Sequence, residues 1–425
     1  MSEEYVPGFG APSGWSREQA ARLERTPETV APIIYPPERD PAPHVHIWDT
    51  WLLRERDGSI ATIDGWRVIL SLTAPSDLLP GKRHDVAEIR AFASRDGREW
   101  YDVGPVFDGG ALGSRQWAGS TLYDGGDLTV FYTAAGTAGE HDLSYDQQIA
   151  AATGGRIEAG EDGPSIEGPW DHEVILEPDG ERYETNAQTR GMIYTFRDPW
   201  FFEDGDETYL LFEANTPVPD RTGACDDPVQ EEFNGSIGLA RSPTGDLNDW
   251  VLEEPIVDAV CTNQELERPH VIVRGGTYYL FVSSHRHTFA PGLTGFDALY
   301  GFVGESLRGP YRPLNGSGLV ATNPENAPYQ AYSWLVYSHR EELLSTSFFN
   351  YYDLGPLGID DVGRLPEDEQ KRRFGGSLAP TLRIGVEGDS TEILGALDHG
   401  HLPLPSEDLP ELVLGEHSEE GYGAF

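Results

Sequence analysis

Lysine is almost absent from this chain: Lys82 and Lys371 are the only two, and Lys and Arg together number 30 against 72 Asp and Glu, a formal net charge of −42 over 425 residues. So acidic a surface repels phosphate backbones and anionic lipid, so no nucleic-acid or membrane partner is expected. Self-repulsion weakens a compact fold in dilute buffer and is screened in concentrated salt, where the Debye length falls to roughly 3 Å at 1 M. The balance is that of a halophilic protein that needs high salt for stability. Its melting temperature is expected to rise between dilute buffer and molar KCl or NaCl, and a flat response would contradict that reading. Acidic disorder is the alternative, but patterned aromatic segments run throughout the chain.

Cysteine is also scarce. Cys225 and Cys261 are too few for a disulfide framework or a zinc site, and on their own they form either one bridge or two free thiols. No apolar run reaches about 18 residues, so no membrane-spanning helix is expected. The opening MSEEYVPGFGAPSGW has neither a basic start nor an apolar stretch, and no secretory signal is read there. Stretches such as GGALGS and FGGSLAP read as turns, and nothing resembles a phosphate-binding loop.

What is abundant is Gly (49), Pro (32), Tyr (19), Phe (17) and Trp (10), a mixture suited to short strands and turns. Ser16, with Gln19 three residues on, marks one short helix by a capping box. Beyond the Pro-rich stretch that follows, a unit recurs. A polar or aromatic residue stands 11 positions ahead of the first apolar residue of a strand, at Trp117/Leu128, Asp198/Tyr209, Glu267/Tyr278 and Tyr332/Leu343. A fifth copy, Asp49/Trp66, has a longer gap of 17, which reads as an inserted loop. Strand starts 62 to 81 residues apart suit propeller blades. The fold expected is all-β, a single β-propeller, with residues 1–45 as an N-terminal segment carrying the helix, 46–400 as the propeller and 401–425 as an acidic tail.

Innermost propeller strands line a shared funnel. Asp49, Asp198 and Glu267 would therefore converge, and three acids in one pocket suit glycoside chemistry through an oxocarbenium-like state. Trp48, Trp51 and Trp117 offer indole faces to sugar C–H groups, whereas Trp66 and Trp250 read as core.

The segments HIWDTW (46–51), QWAGS (116–120), FRDPWFFEDGDETYLLFEANT (196–216), QELERPHVI (264–272), GPYRPLNGSGLV (309–320) and GGSLAPTL (375–382) resemble the levansucrase and inulosucrase family of sucrose fructosyltransferases, over nearly the whole chain. The resemblance implies a five-bladed propeller with a funnel-shaped active site. It also implies retaining cleavage of sucrose through a fructosyl-enzyme ester, with transfer to sucrose, fructan or water. In those terms Asp49 is the nucleophile, Asp198 the transition-state stabiliser and Glu267 the acid/base, with the carboxyls of Asp49 and Glu267 roughly 5 to 5.5 Å apart. Trp48 and Trp117 flank the fructosyl unit and Arg197 offsets the acids. Glu265, Arg268, His285 and Tyr332 hold the glucosyl side. Inulin is slightly favoured over levan as the product.

The chain departs from the family's pattern at Ala118, where many members carry Ser. It departs again at Gln264, where calcium-binding members carry Asp, so no cofactor and no structural calcium are expected. EDGDE (203–207) reads as a hairpin turn. The resemblance favours a Cys225–Cys261 bridge and, because sucrose polymerisation is an external process, an extracellular location. The alternatives are an invertase-like hydrolase, another five-bladed glycosidase and a non-catalytic sugar-binding propeller. The NDPNG-like and Glu-Cys motifs of invertases are missing, and a pure binder has no use for both Asp49 and Glu267.

Overall fold

The structure, a computed structural model, describes residues 12–160, 163–218 and 223–409. Its strands form five sheets, antiparallel except for one short added strand. Blade I holds Val45–Leu52, Arg67–Pro75, Glu88–Ser94 and Tyr101–Pro105; blade II starts with Arg115–Asp124 and Asp127–Ala135; blade III with Phe196–Asp204 and Glu207–Asn215; blade IV with Glu267–Arg274 and Thr277–Ser284; blade V with Ala331–His339 and Glu342–Tyr351. The first strand of each blade is innermost and packs on its neighbours, and blade V closes the ring against Val45–Leu52. This is a five-bladed β-propeller.

Second strands such as TYLLFEAN and LLSTSFFN are buried on both faces, which is why they read as unbroken apolar runs rather than alternating ones. Two-residue turns join first to second strands in blades II to V. Gly125 and Gly126 (φ 59° and 106°), Gly205 (63°) and Gly275 (56°) supply the positive φ these turns require, and the EDGDE segment is such a hairpin. In blade I the segment 53–66 takes the place of the turn.

An innermost strand has a free backbone edge toward the axis, and unpaired edges are costly when buried. Here side chains of the preceding blade satisfy it. Ser120 Oγ accepts the Phe201 N–H at 2.9 Å, Ser283 Oγ the Trp334 N–H at 3.0 Å, and His270 Nε2 the Val336 N–H at 2.8 Å. Burial pulls the His270 imidazole down to about 3, so it stays neutral, with its Nδ1 proton on the Arg268 carbonyl at 2.8 Å.

The capped helix Arg17–Ala20 is present, with both capping-box bonds formed. The N-terminal segment straps the ring. Ser13–Gly14 add a parallel strand to blade III, and buried Trp15 packs on Phe289, Tyr300 and Phe302 of blade IV. At the other end Leu402 donates its N–H to the Gly97 carbonyl at 2.7 Å and Arg98 pairs with Asp398 and Glu407. Residues 401–409 thus lie against blade I, and the rest of the expected tail, 410–425, falls outside the described residues. Among those residues no helix is long and apolar enough to cross a membrane.

Candidate active site

Each innermost strand slips register at the mouth of the funnel, immediately after Trp48, Trp117, Arg197, Glu267 and Tyr332. In four blades the next residue is left-handed: Asp49 (φ 45°), Asp198 (60°), Arg268 (52°) and Ser333 (58°). That conformation costs a non-glycine residue about 1–2 kcal/mol, and surrounding contacts must hold it. The bulge explains the RDP and ERP motifs, because Pro199 and Pro269 lack an N–H and fall where the ladder needs none.

The bulges also correct the 11-residue reading, which made Asp198 the equivalent of Glu267. By strand register Glu267 matches Arg197, Trp117, Tyr332 and Trp48, whereas Asp198 matches Asp49. Counting from the first apolar residue misled by one in blade III, because polar Thr208 occupies the position that Tyr278 holds in blade IV. Each blade therefore presents a doublet at the bulge, and two of the three acids are second members.

Arg197 is the hub. Its Nε donates to Glu213 Oε2 at 2.6 Å and its Nη2 to Glu265 Oε1 at 2.9 Å and Glu267 Oε1 at 3.0 Å, with Asp198 Oδ2 at 3.9 Å. Burial opposes its charge, but these four carboxylates outweigh burial and hold the guanidinium well above its ordinary value. Glu213 is 0% exposed, accepts the Leu266 N–H at 3.1 Å, and is pushed well above the usual carboxylate range, chiefly by burial.

Glu267 accepts a short hydrogen bond from the Tyr332 hydroxyl on its other oxygen, with His285 Nε2 at 3.9 Å. Burial, then the neighbouring Glu265, push its carboxyl up to about 8 against the pull of Arg197 and His285. Burial alone would lower the His285 imidazole, yet Asp297, 3.4 Å from its Nδ1, outweighs that and raises it to about 9. The imidazolium ring stacks on Tyr332 with centroids 3.7 Å apart. Asp198 is held from both sides: its N–H donates to Thr133 Oγ1 of blade II at 2.8 Å, and its Oδ2 accepts the Arg268 N–H of blade IV at 3.1 Å. Burial raises it, Arg197 lowers it and Asp49 raises it again, to about 6.

Asp49, Asp198, Glu265, Glu267, Arg197, His285 and Trp117 line one cavity of about 630 Å³. Trp117 is anchored there by its indole N–H on the His84 carbonyl at 3.1 Å. Trp48 is buried edge-on against His84, centroids 5.4 Å apart. Arg268 differs from the expectation of a sugar-holding residue. Its guanidinium turns to the Ser333 carbonyl and hydroxyl at 3.0 and 2.7 Å and to the Thr50 carbonyl at 2.6 Å, clamping the bulges of blades IV, V and I together.

Glu213, His84 and Asp297 escaped the sequence reading. Glu213 had a signal, an acid inside the apolar run LLFEA that needs a buried partner; His84, in the short 3-10 helix Pro80–Val86, and Asp297, just before the strand Ala298–Gly304, stand in segments without pattern. Asp198, Glu213 and Glu267 bring carboxylate oxygens within 4.8 Å of one another, as do Glu265 and Glu267 with the His285 nitrogen, and Arg197 donates to Glu213, Glu265 and Glu267 among them. Gln264 donates its amide to the Ile193 carbonyl at 2.8 Å, fastening the cavity rim. Nearby, Cys225 and Cys261 are bridged with Cα atoms 5.7 Å apart.

A five-bladed propeller with four carboxylates gathered around one buried arginine in its funnel has the make-up of a carbohydrate-cleaving enzyme. The sequence profile of the Levansucrase/Invertase family matches residues 8–403, and the chain belongs to that family. A levansucrase (LscA) of Pseudomonas savastanoi is 36% identical over 92% of this chain and 97% of its own length. An extracellular sucrase of Zymomonas mobilis is 35% identical over 92% and 95%. An inulosucrase from Halalkalicoccus jeotgali, solved bound to kestose, is 67% identical with a TM-score of 0.94, covering 95% of this chain and 100% of its own.

Proposed function

We propose that this chain is a retaining, sucrose-cleaving fructosyltransferase that makes inulin-type products. The observation that carries the reading is the geometry of the funnel: Asp49, Asp198 and Glu267 line one cavity, where burial pushes the Glu267 carboxyl up to about 8 and that of Asp198 to about 6. Glu267 then protonates the glycosidic oxygen as glucose leaves, Asp49 attacks C2 of the fructosyl unit to form an ester, and Asp198 stabilises the cationic transition state between them. In the second half-reaction Glu267 takes the proton from the acceptor hydroxyl, which attacks the ester and releases Asp49. The imidazolium of His285 and the Tyr332 hydroxyl, both on Glu267 Oε2, orient that carboxyl and edge the leaving-group side. Trp117 offers its ring face to the fructosyl unit.

Two outcomes follow. The kcat/KM for sucrose is expected to be bell-shaped. It falls above about pH 8 as Glu267 loses its proton, and below about pH 6 as Asp198 gains one; an alkaline limb unaffected by Glu267→Gln in the residual activity would remove Glu267 as the acid. Sucrose turnover in molar KCl is expected to release glucose in excess of fructose and to build β-2,1 linkages readable by NMR. The 67% identical inulosucrase supports that linkage, and β-2,6 product would overturn it. Equal glucose and fructose throughout would favour the hydrolase reading. The extracellular sucrase among the relatives supports action outside the cell.

A further inference from the structure

At the opposite end of the channel from the active site lies a second cavity of about 610 Å³, lined by the far ends of the innermost strands, the inserted 53–66 segment and Pro403 and Pro405. It contains Arg67, 2% exposed, whose Nε and Nη1 meet no acceptor among the described residues and which has no carboxylate within ion-pair distance among them. The Tyr337 hydroxyl, on the same wall, is equally buried and unpartnered. Arg54 adds a second cation, 6% exposed. It donates to the Phe201 carbonyl at 2.6 Å and lies 3.5 Å over the Trp200 ring, with its Nε unpartnered.

Buried guanidinium N–H groups that meet no acceptor are costly, and here two arginines with such groups stand in one cavity of a chain with only 30 basic residues and a net charge of −42. The carboxylates at the cavity wall do not compensate them. Glu203 is taken by Arg56, Asp204 accepts the Tyr278 hydroxyl at 2.6 Å, and Asp57 caps the Ser59 N–H at 2.9 Å. Glu407 attracts the Arg67 guanidinium through space but is itself held by Arg98 and His401, so the Nε and Nη1 groups of Arg67 and the Tyr337 hydroxyl stand in this cavity without an acceptor among the described residues.

We propose that this cavity is a binding site for a small inorganic anion of the chloride class, held by the Arg67 guanidinium and the Tyr337 hydroxyl. The anion joins blade I, which carries Arg67, to blade V, which carries Tyr337, at the seam where the ring closes. Saturable binding of one halide then adds to general screening in stabilising the protein in salt.

The test is diffraction from crystals of the wild-type protein soaked in bromide. A bromine anomalous peak within hydrogen-bond distance of Arg67 and Tyr337 is expected; ordered water there without anomalous signal would overturn the proposal. In solution, chloride titrated into acetate at constant ionic strength should raise the wild-type melting temperature along a saturating curve, and that rise should be lost in Tyr337→Phe and Arg67→Met. A response that is linear, or equal in wild type and Tyr337→Phe, would also overturn it. If Arg67→Met fails to fold, the bromide peak and Tyr337→Phe decide alone. Failure here leaves the fructosyltransferase reading untouched, since neither residue lines the catalytic cavity.

Discussion

Replacing Asp49 by alanine is expected to lower kcat for sucrose by on the order of 10⁵-fold, the scale seen when a covalent nucleophile is removed, with the fold retained. Asp49 makes no ion pair among the described residues, and its neighbours Trp48 and Thr50 are buried by contacts of their own, so the ring does not depend on its carboxylate. Its backbone is left-handed, φ 45°, and alanine there adds strain of order 1 kcal/mol. Asparagine tolerates that conformation, so Asp49→Asn isolates the chemistry. Equal loss in both variants with unchanged melting supports a nucleophile, whereas loss in alanine alone points to backbone geometry. Turnover retained in Asp49→Asn would refute the role.

Arg197→Met is expected to be the most damaging single change to both activity and stability. The guanidinium stands among Glu213, Glu265, Glu267 and Asp198, and breaking a buried charge pair from one side costs about 3–5 kcal/mol. The sign with pH is fixed. Without Arg197 the carboxyls titrate still higher in the folded state than in the unfolded chain, so the folded state binds extra protons and stability falls as pH rises. The deficit in melting temperature relative to wild type should therefore be larger at pH 8 than at pH 5. Glu267, freed of Arg197, would hold its proton too tightly to act as base toward the acceptor, and deglycosylation should slow as well. A pH-independent deficit would mean that Arg197 contributes packing rather than charge.

Much of this site was legible in the sequence, and the reasons differ by residue. The three acids carried motif signals because each sits at a bulge whose chemistry constrains its neighbours: proline after Asp198 and Arg268, tryptophan before Asp49. Repetition of strand and turn was legible because buried second strands and Gly turns leave apolar runs at regular spacing. The offset between Glu267 and Asp198 was not legible, since a bulge alters register without altering the hydrophobic pattern. Neither was the direction of the Arg268 side chain, which depends on two blades more than 60 and 200 residues away in the chain. Glu213 lay in plain view as an acid in a core strand, and the rule that buried charge needs a partner would have linked it to Arg197.

In the proposed mechanism sucrose turnover passes through a fructosyl ester on Asp49. Acid-quenching the enzyme during steady-state turnover in molar KCl, followed by digestion and peptide mass mapping, tests it directly. The prediction is a hexosyl adduct on the peptide containing Asp49 that is absent from Asp49→Asn. An adduct on another carboxylate, or full turnover by Asp49→Asn, would contradict it.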